Sequence, residues 1–394
     1  MATSKSPPSV LWMQVWVLAG LQGAITLTWL IYSLYLPKLL TQFGFSASLA
    51  VGLLAVENAL GVIMEPLMGG LSDQANRWVG SRFPLIALGV ILSSALFISI
   101  PSIVTFVPPL EEIRGILPLT LVAWALAMTV FRSPAIALLG KYATVAELPL
   151  AASFVTLAAG VIGAFRPIAN NFILGNGPIF TFAIGSFVLL AAVALLRFVS
   201  PPEHPTIQNQ APVAKLPLQG LSLILATSFG IAWGSRLLMD ALGKALKSQF
   251  DTEDVSVFMV GIGLMLAFAA LPAGAFAVKI GNRQAMVSGV CAIILSTLLI
   301  LYIGVDILTA LLIIASLSLI INGAVPFAIG LMPPQWTGLG TGTYFGGFSL
   351  GMSVFGLVFP SGITPLIGMV CSTLAFLFAG VCIVISIRLK SANR

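Results

Sequence analysis

Five charged side chains stand where charge is expensive. Glu57, Glu65, Arg132, Arg166 and Arg236 each fall inside a long apolar run. An ionisable group at the centre of a membrane helix costs about 2.5–3.5 kcal/mol on insertion scales, so such groups mark ion pairs, wet cavities or moving charge. Depth follows from the rise of about 1.5 Å per helical residue. Glu65 lies eight residues before Asp73, and Arg132 nine before Lys141, two residues at the ends of their runs. Both therefore sit about 12–13 Å from one edge. Glu57 lies sixteen residues from Asp73, and Arg166 seventeen from Pro149. Both sit about 24–26 Å deep. Two pairs at matched depth are expected, Glu65 with Arg132 and Glu57 with Arg166. Arg236 and Asp240, at i and i+4, are expected to meet on one helix face.

Such pairs suit proton movement. A nearby cation favours the carboxylate and desolvation favours the acid, so alternation between the two environments takes up and releases a proton. A static ion pair that ties the helices together is the plainer account of the same residues. Gln22, Thr26 and Trp29 fall at i, i+4 and i+7 on one face. An amide, a hydroxyl and a stacking ring suit a sugar or another polar neutral solute. They equally suit interhelical hydrogen bonding, with Tyr32 and Tyr35 in an interfacial belt. Asn170, Asn171 and Asn322 belong to the same weaker group. Gly160, Gly163, Gly342, Gly346, Gly347 and Gly351 read as close helix packing.

The elements that position these residues are membrane helices. The chain has 394 residues, 59% of them hydrophobic and 8% charged, against about 25% charged in soluble domains. Runs of the length needed to cross about 30 Å of hydrocarbon recur from end to end. They are continuous rather than alternating, which excludes a barrel in favour of helices. Twelve spans are expected, near 11–36, 48–71, 84–107, 116–140, 149–173, 178–199, 219–243, 255–278, 284–304, 308–332, 338–359 and 363–387. Turn chemistry separates them, including Pro37, Pro108–Pro109, Pro333–Pro334 and Pro360–Gly362. The polar stretch 200–218 reads as a cytoplasmic linker between two six-helix bundles, 1–199 and 219–394. The first run is too long for a cleavable leader.

Orientation follows from Lys and Arg. With the N-terminus inside, eleven fall inside, among them Lys5, Lys215 and Arg394, and four outside, with three in spans. Both termini are therefore expected in the cytoplasm. The net charge of +6 reports this bias and no nucleic-acid partner. His204 is the single histidine, and Cys291, Cys371 and Cys382 have no metal-ligand spacing. Neither a metal, a cofactor nor enzyme chemistry is expected, and no phosphate loop for ATP-driven transport is present. The halves echo each other. Gly80-Ser81-Arg82 corresponds to Gly281-Asn282-Arg283, and Pro134-Ala135-Ile136-Ala137 to Pro326-Phe327-Ala328-Ile329.

The segment Gly69-Gly70-Leu71-Ser72-Asp73-Gln74-Ala75-Asn76-Arg77-Trp78-Val79-Gly80-Ser81-Arg82 resembles the cytoplasmic loop motif of the major facilitator superfamily. Its logic is a close helix approach at glycine and an acid that pairs basic groups across a gate. The resemblance covers nearly the whole chain. It implies an all-α fold of about twelve helices in two pseudo-symmetric six-helix bundles, with Gly69, Asp73, Arg77, Gly80 and Arg82 as gating residues. Glu65-Pro66-Leu67-Met68-Gly69, Arg132-Ser133-Pro134 and Gly338-Leu339-Gly340-Thr341-Gly342 resemble the branch of glycoside–cation and sucrose–proton symporters. Two departures stand out. Gly61 replaces the first of two acids of the melibiose-type carriers, which removes the expectation of a sodium site. Gly140-Lys141 stands where the sucrose carriers have an acid.

The resemblance implies a secondary active transporter that moves a small solute by alternating access, coupled to H⁺ as a symporter, in the plasma or inner membrane and as a monomer. A sugar or glycoside is the first substrate reading. Efflux of amphipathic compounds and transport of an organic anion are alternatives, the latter because Arg132, Arg166 or Arg236 would pair a carboxylate or phosphate. A non-transporting protein of the same fold, such as a receptor or pigment-assembly factor, is a further alternative.

Overall fold

The computed structural model describes residues 10–201, 215–359 and 362–392. Lys5, His204, Arg394 and most of the expected linker lie outside the described residues. Twelve long helices run through them: α1 Trp12–Gln42, α2 Ser48–Val79, α3 Phe83–Phe106, α4 Ile116–Ala137, α5 Leu148–Ala164, α6 Pro178–Val199, α7 Leu218–Phe250, α8 Ser256–Ile280, α9 Asn282–Ile303, α10 Ile307–Leu331, α11 Thr337–Val358 and α12 Pro365–Ala392. Eleven are long and apolar enough to cross a membrane. The twelfth, α11, is glycine-rich and falls short on apolarity, yet it has the length of its neighbours and packs between them. Among the described residues no sheet forms; Val10 and Ala143 make one isolated bridge.

Several boundaries differ from the sequence reading. Pro37 does not end α1, which runs on to Gln42. A missing N–H is tolerated in a membrane helix whose neighbours satisfy the freed carbonyl. α2 continues to Val79, so Asp73 stands on a helix and not in a loop. α2 ends at Gly80, whose φ of 76° is the left-handed C-cap that favours glycine. The fifth span is not continuous. α5 stops at Ala164, a 3₁₀ turn follows at Arg166–Ile168, and a short helix resumes at Ala169–Ile173. Pro167 removes an N–H and crowds the preceding turn, which breaks the helix there.

Two buried clusters form. One joins α1–α6 around Trp124, Tyr32, Tyr35, Phe97 and Phe182. The other joins α7–α12 around Phe376, Phe327, Met286 and Ile293. Large apolar side chains such as Phe187, Phe198 and Leu374 point outward, as required of a surface facing hydrocarbon. Lipid removes the hydrophobic drive between helices, so contact between the clusters rests on small residues and polar groups. It is made where α2 meets α11 and where α5 meets α8. Among the described residues no packed seam joins α1 to α7.

Candidate functional site between the two helix sets

The site is closed from the face that carries the helix ends near residues 12 and 392, here termed the terminal face. A Cβ on Gly69 would lie 2.1 Å from the Gly338 carbonyl oxygen, and one on Gly342 would lie 2.2 Å from that of Glu65. α2 and α11 thus touch backbone to backbone. This brings the start of α11 against Asp73. The first N–H groups of a helix have no partner within it and carry partial positive charge. Asp73 accepts two of them, Gly338 N–H on Oδ1 at 2.9 Å and Leu339 N–H on Oδ2 at 2.8 Å. Arg82 completes the cage, donating to Asp73 Oδ1 at 2.6 Å and to Thr337 Oγ1 at 2.8 Å. Arg77 lies over the Trp336 ring at 4.8 Å.

Two turns deeper, Arg132 of α4 reaches Glu65 of α2 at 2.5 Å. The Glu65 side chain is fully buried and that of Arg132 is 20% exposed. Neither Glu65 oxygen has an aligned hydrogen-bond donor, so the guanidinium meets the carboxylate as a charge and not as a two-pronged fork. Arg132 also lies over the Phe345 ring of α11 at 4.5 Å. Ser133 donates to the Glu65 carbonyl at 3.2 Å, which ties α4 to α2 beside Pro66. A small cavity opens next, about 50 Å³, lined by Trp29, Glu57, Asn58, Thr129, Arg132 and Ser349 among others. On its far side the Tyr32 hydroxyl donates to Glu57. A polar chamber thus lies between two buried carboxylates, walled by α1, α2 and α4 and touched by α11.

By sequence the chain matches no family model and no curated protein. By structure it resembles several solved transporters. The E. coli fucose:proton symporter FucP superposes with a TM-score of 0.70 at 12% identity, covering 96% of this chain and 99% of that one. The proton:xylose symporter XylE bound to 6-bromo-6-deoxy-D-glucose gives 0.68 at 14% identity, covering 95% and 94%. The human organic anion transporter MFSD10 gives 0.65 at 15% identity, covering 97% and 99%.

The chain has the major facilitator fold.

Within this fold the sequence-selected residues separate into three groups. Glu65 and Arg132 form the pair that depth suggested, and Asp73, Arg77, Gly69, Gly80 and Arg82 converge where α2 meets α11. Glu57 does not pair with Arg166. Its partner is Tyr32, which is fully buried and so is no interfacial belt residue. Arg236 does not pair with Asp240 either. Asp240 pairs with Lys244 at 2.8 Å, while Arg236 lies over the Phe355 ring at 4.7 Å. Of the α1 face, Trp29 lines the chamber, packed edge-on against Trp124 at 4.8 Å. Thr26 spends its hydroxyl on the Gln22 carbonyl of its own helix at 2.9 Å. Gln22 Oε1 has no partner. Asn322 is remote from the chamber and donates to the Pro149 carbonyl at 3.1 Å. Gly61 is explained by packing: a Cβ there would lie 2.8 Å from Ser349 Oγ. Asn58, Thr129, Phe345 and Ser349 escaped the sequence reading, and Tyr32 was assigned to the wrong role. Uncharged polar and aromatic residues are common in membrane helices, and only their convergence sets these apart.

Proposed function

We propose that the chain is a secondary active transporter of a small polar solute, coupled to protons through Glu65 and Glu57. The observation that carries this reading is the Glu65–Arg132 pair beside a polar chamber at the contact of the two helix sets. The guanidinium is the counter-charge of a fully buried carboxyl group. When the α2–α11 contact opens, the Arg132 stacking on Phe345 of α11 is disturbed, and the pair with it. A buried carboxylate left without its cation takes a proton from the open side. Re-pairing releases that proton, which links its passage to the movement. The two six-helix sets, residues 1–199 and 219–394, act as the moving bodies, with 200–218 joining them.

The Lys and Arg bias supports placing the terminal face in the cytoplasm. The present form is then closed to the cytoplasm where α2 meets α11. Glu57, Asn58, Thr129 and Ser349 around the chamber favour a polar solute over an amphipathic one. Gln22 Oε1 and Trp29 Nε1, buried and unpartnered, would take hydroxyls once the helices part, which supports the sugar class. Two of the structural neighbours carry sugars by their titles.

The test is flux into proteoliposomes under an inward proton gradient, with labelled sugars, organic anions and amphipathic dyes. Gradient-driven accumulation of one class is expected, and Glu65→Gln should abolish the accumulation while leaving exchange. Folded protein that moves none of these solutes would overturn the reading in favour of a non-transporting role.

A further inference from the structure

At the terminal end of the α5–α8 contact lies a cavity of about 800 Å³, within the ~300–1,000 Å³ usual for ligand sites. Ala146 and Pro149, at the start of α5, line it from one helix set. Asn282, Arg283 and Phe327 line it from the other. An occupant would therefore touch both sets. Most of the wall is apolar, Arg283 is its one charged residue, and no acid lines it. The partly buried Arg283 donates to the Ser386 carbonyl at 3.0 Å, and its guanidinium lies 6.0 Å from the centre of the Phe327 ring. Among the described residues it makes no ion pair. Asn282 donates to the Gly323 carbonyl at 2.9 Å, and its Oδ1 is buried without a partner. The same two residues open α9, whose first N–H groups have no acceptor within the helix and carry partial positive charge.

The α2–α11 contact shows what such donors take. There a guanidinium, Arg82, and the first N–H groups of a helix close on one carboxylate, Asp73. The internal echo makes Arg283 the counterpart of Arg82, but at Arg283 the chain supplies no carboxylate and leaves a cavity. We propose that this cavity binds a phosphate monoester carried on an apolar body. The Arg283 guanidinium and the α9 N–H groups donate to the phosphate oxygens. Asn282 Oδ1 accepts the P–OH proton of the monoanion, a form populated near the second phosphate pKa of about 6. An ionised carboxylate has no such proton and would leave Oδ1 without a partner, so the phosphate is the better fit. The apolar wall takes the rest of the ligand. A soluble phosphate ester and the headgroup of phosphatidic acid present the same group, and the test separates the two sources. The inference stands apart from the transporter reading, since binding is read without flux.

Purified full-length protein in nanodiscs of phosphatidylcholine is titrated near pH 6, about the second phosphate pKa, with phenyl phosphate, inorganic phosphate and benzyl alcohol. Phenyl phosphate is expected to raise the Tm and to saturate, with inorganic phosphate weaker and benzyl alcohol weaker still. Arg283→Gln should raise the phenyl phosphate Kd about tenfold or more, the loss of a charge-assisted hydrogen bond. Arg283→Lys should recover part of it. Gly330 lines the cavity, and a Cβ there would meet nothing within 4 Å. Gly330→Leu should therefore fill the space and block binding with Arg283 intact, and it carries the test should Arg283→Gln not fold. In nanodiscs that contain phosphatidic acid, an Arg283-dependent rise in Tm with loss of phenyl phosphate binding assigns the site to the lipid. Unchanged phenyl phosphate binding there assigns it to a soluble ligand. The proposal is overturned if neither phosphate binds saturably, if binding is indifferent to Arg283 and Gly330, or if benzyl alcohol binds as tightly as phenyl phosphate.

Discussion

The two seams of the molecule are built on opposite plans. At α2–α11 backbone meets backbone, and the contact is charged through Asp73, Arg82 and the α11 N–H groups. At α5–α8 small side chains meet: a Cβ on Gly160 would lie 2.7 Å from Ala267 Cβ, and one on Gly263 would lie 2.9 Å from Ala164 Cβ. The internal echo sharpens the contrast. Aligning Gly80-Ser81-Arg82 with Gly281-Asn282-Arg283 sets Gly274 opposite Asp73. Gly274 fits closely on Ser153 and the Pro149 carbonyl and offers no carboxylate. Arg283, the counterpart of Arg82, instead donates to the Ser386 carbonyl at 3.0 Å. A cavity of about 800 Å³, lined by Pro149, Asn282, Arg283 and Phe327 among others, stands at the terminal end of that second seam. One seam is held by an ion pair and by backbone N–H groups on a carboxylate, and on the proposed function it would act as a latch. The other is a smooth surface on which helices can roll, the kind of contact that shear motions use.

The largest effect should follow from removing the latch's charge. Asp73→Asn removes the carboxylate that pairs with buried Arg82, and breaking a buried pair in this way costs about 3–5 kcal/mol. The closed terminal face would then lose population by about 10²–10⁴-fold. Thr341, fully buried near the start of α11, reports this as Thr341→Cys in a cysteine-free background. It should label fast from the terminal side in Asp73→Asn and slowly without that change; equal labelling would dissolve the distinction between the seams. Glycine substitutions come next. In Gly342→Ala the new Cβ lies 2.2 Å from a backbone oxygen, which cannot yield, and overpacking costs about 1–3 kcal/mol. Gly160→Ala meets the Ala267 Cβ at 2.7 Å and its Cα at 3.1 Å, a carbon contact less severe than the 2.2 Å approach to a backbone oxygen. Transport should fall much further in the first than in the second.

How much of this was legible in the sequence depended on straightness and rotation. Glu65 and Arg132 were found by counting from one edge, along α2 and along α4 with the short helical turn that follows it. The α2–α11 latch was legible because its glycines and acid form a local string, although Asp73 proved to be helical. Glu57 and Arg166 failed as a pair because Pro167 breaks the helix that was to carry Arg166. Helix rotation, which depth cannot give, turns Glu57 toward Tyr32. Arg236 and Asp240 had correct spacing, but Lys244 has the same spacing on Asp240's other side, and Phe355 supplies Arg236 with a ring. The chamber could not be read at all, since Asn58, Thr129 and Ser349 acquire meaning only when three helices converge.

Beside the second seam α10 makes a polar contact with α5, and it should matter less. Asn322 donates a neutral hydrogen bond to the Pro149 carbonyl at 3.1 Å, worth about 0.5–1.5 kcal/mol. Asn322→Ala should raise Thr341→Cys labelling far less than Asp73→Asn does. A rise as large would mean that both seams are latches.

The smallest effect belongs to a charge outside both seams. Asp306 caps α10 on the opposite face: its Oδ1 accepts the Thr309 N–H at 2.7 Å, and Thr309 Oγ1 accepts the Asp306 N–H at 2.9 Å. The Thr309 backbone bond, with the Thr309 hydroxyl second, holds the Asp306 carboxyl below its ordinary range. A carboxyl depressed in the folded state stabilises above its unfolded value, and the contribution is lost as pH falls through the folded value. Asp306→Asn should therefore lower the Tm slightly at pH 7, with the difference shrinking as the pH drops below the usual carboxylate range. Labelling at Thr341→Cys should not change. If it did, a fully exposed cap on the far face would be acting on the latch, and the local account of that seam, built on Asp73, Arg82 and two N–H groups, would have to give way to one in which the whole of α10 and α11 moves as a unit.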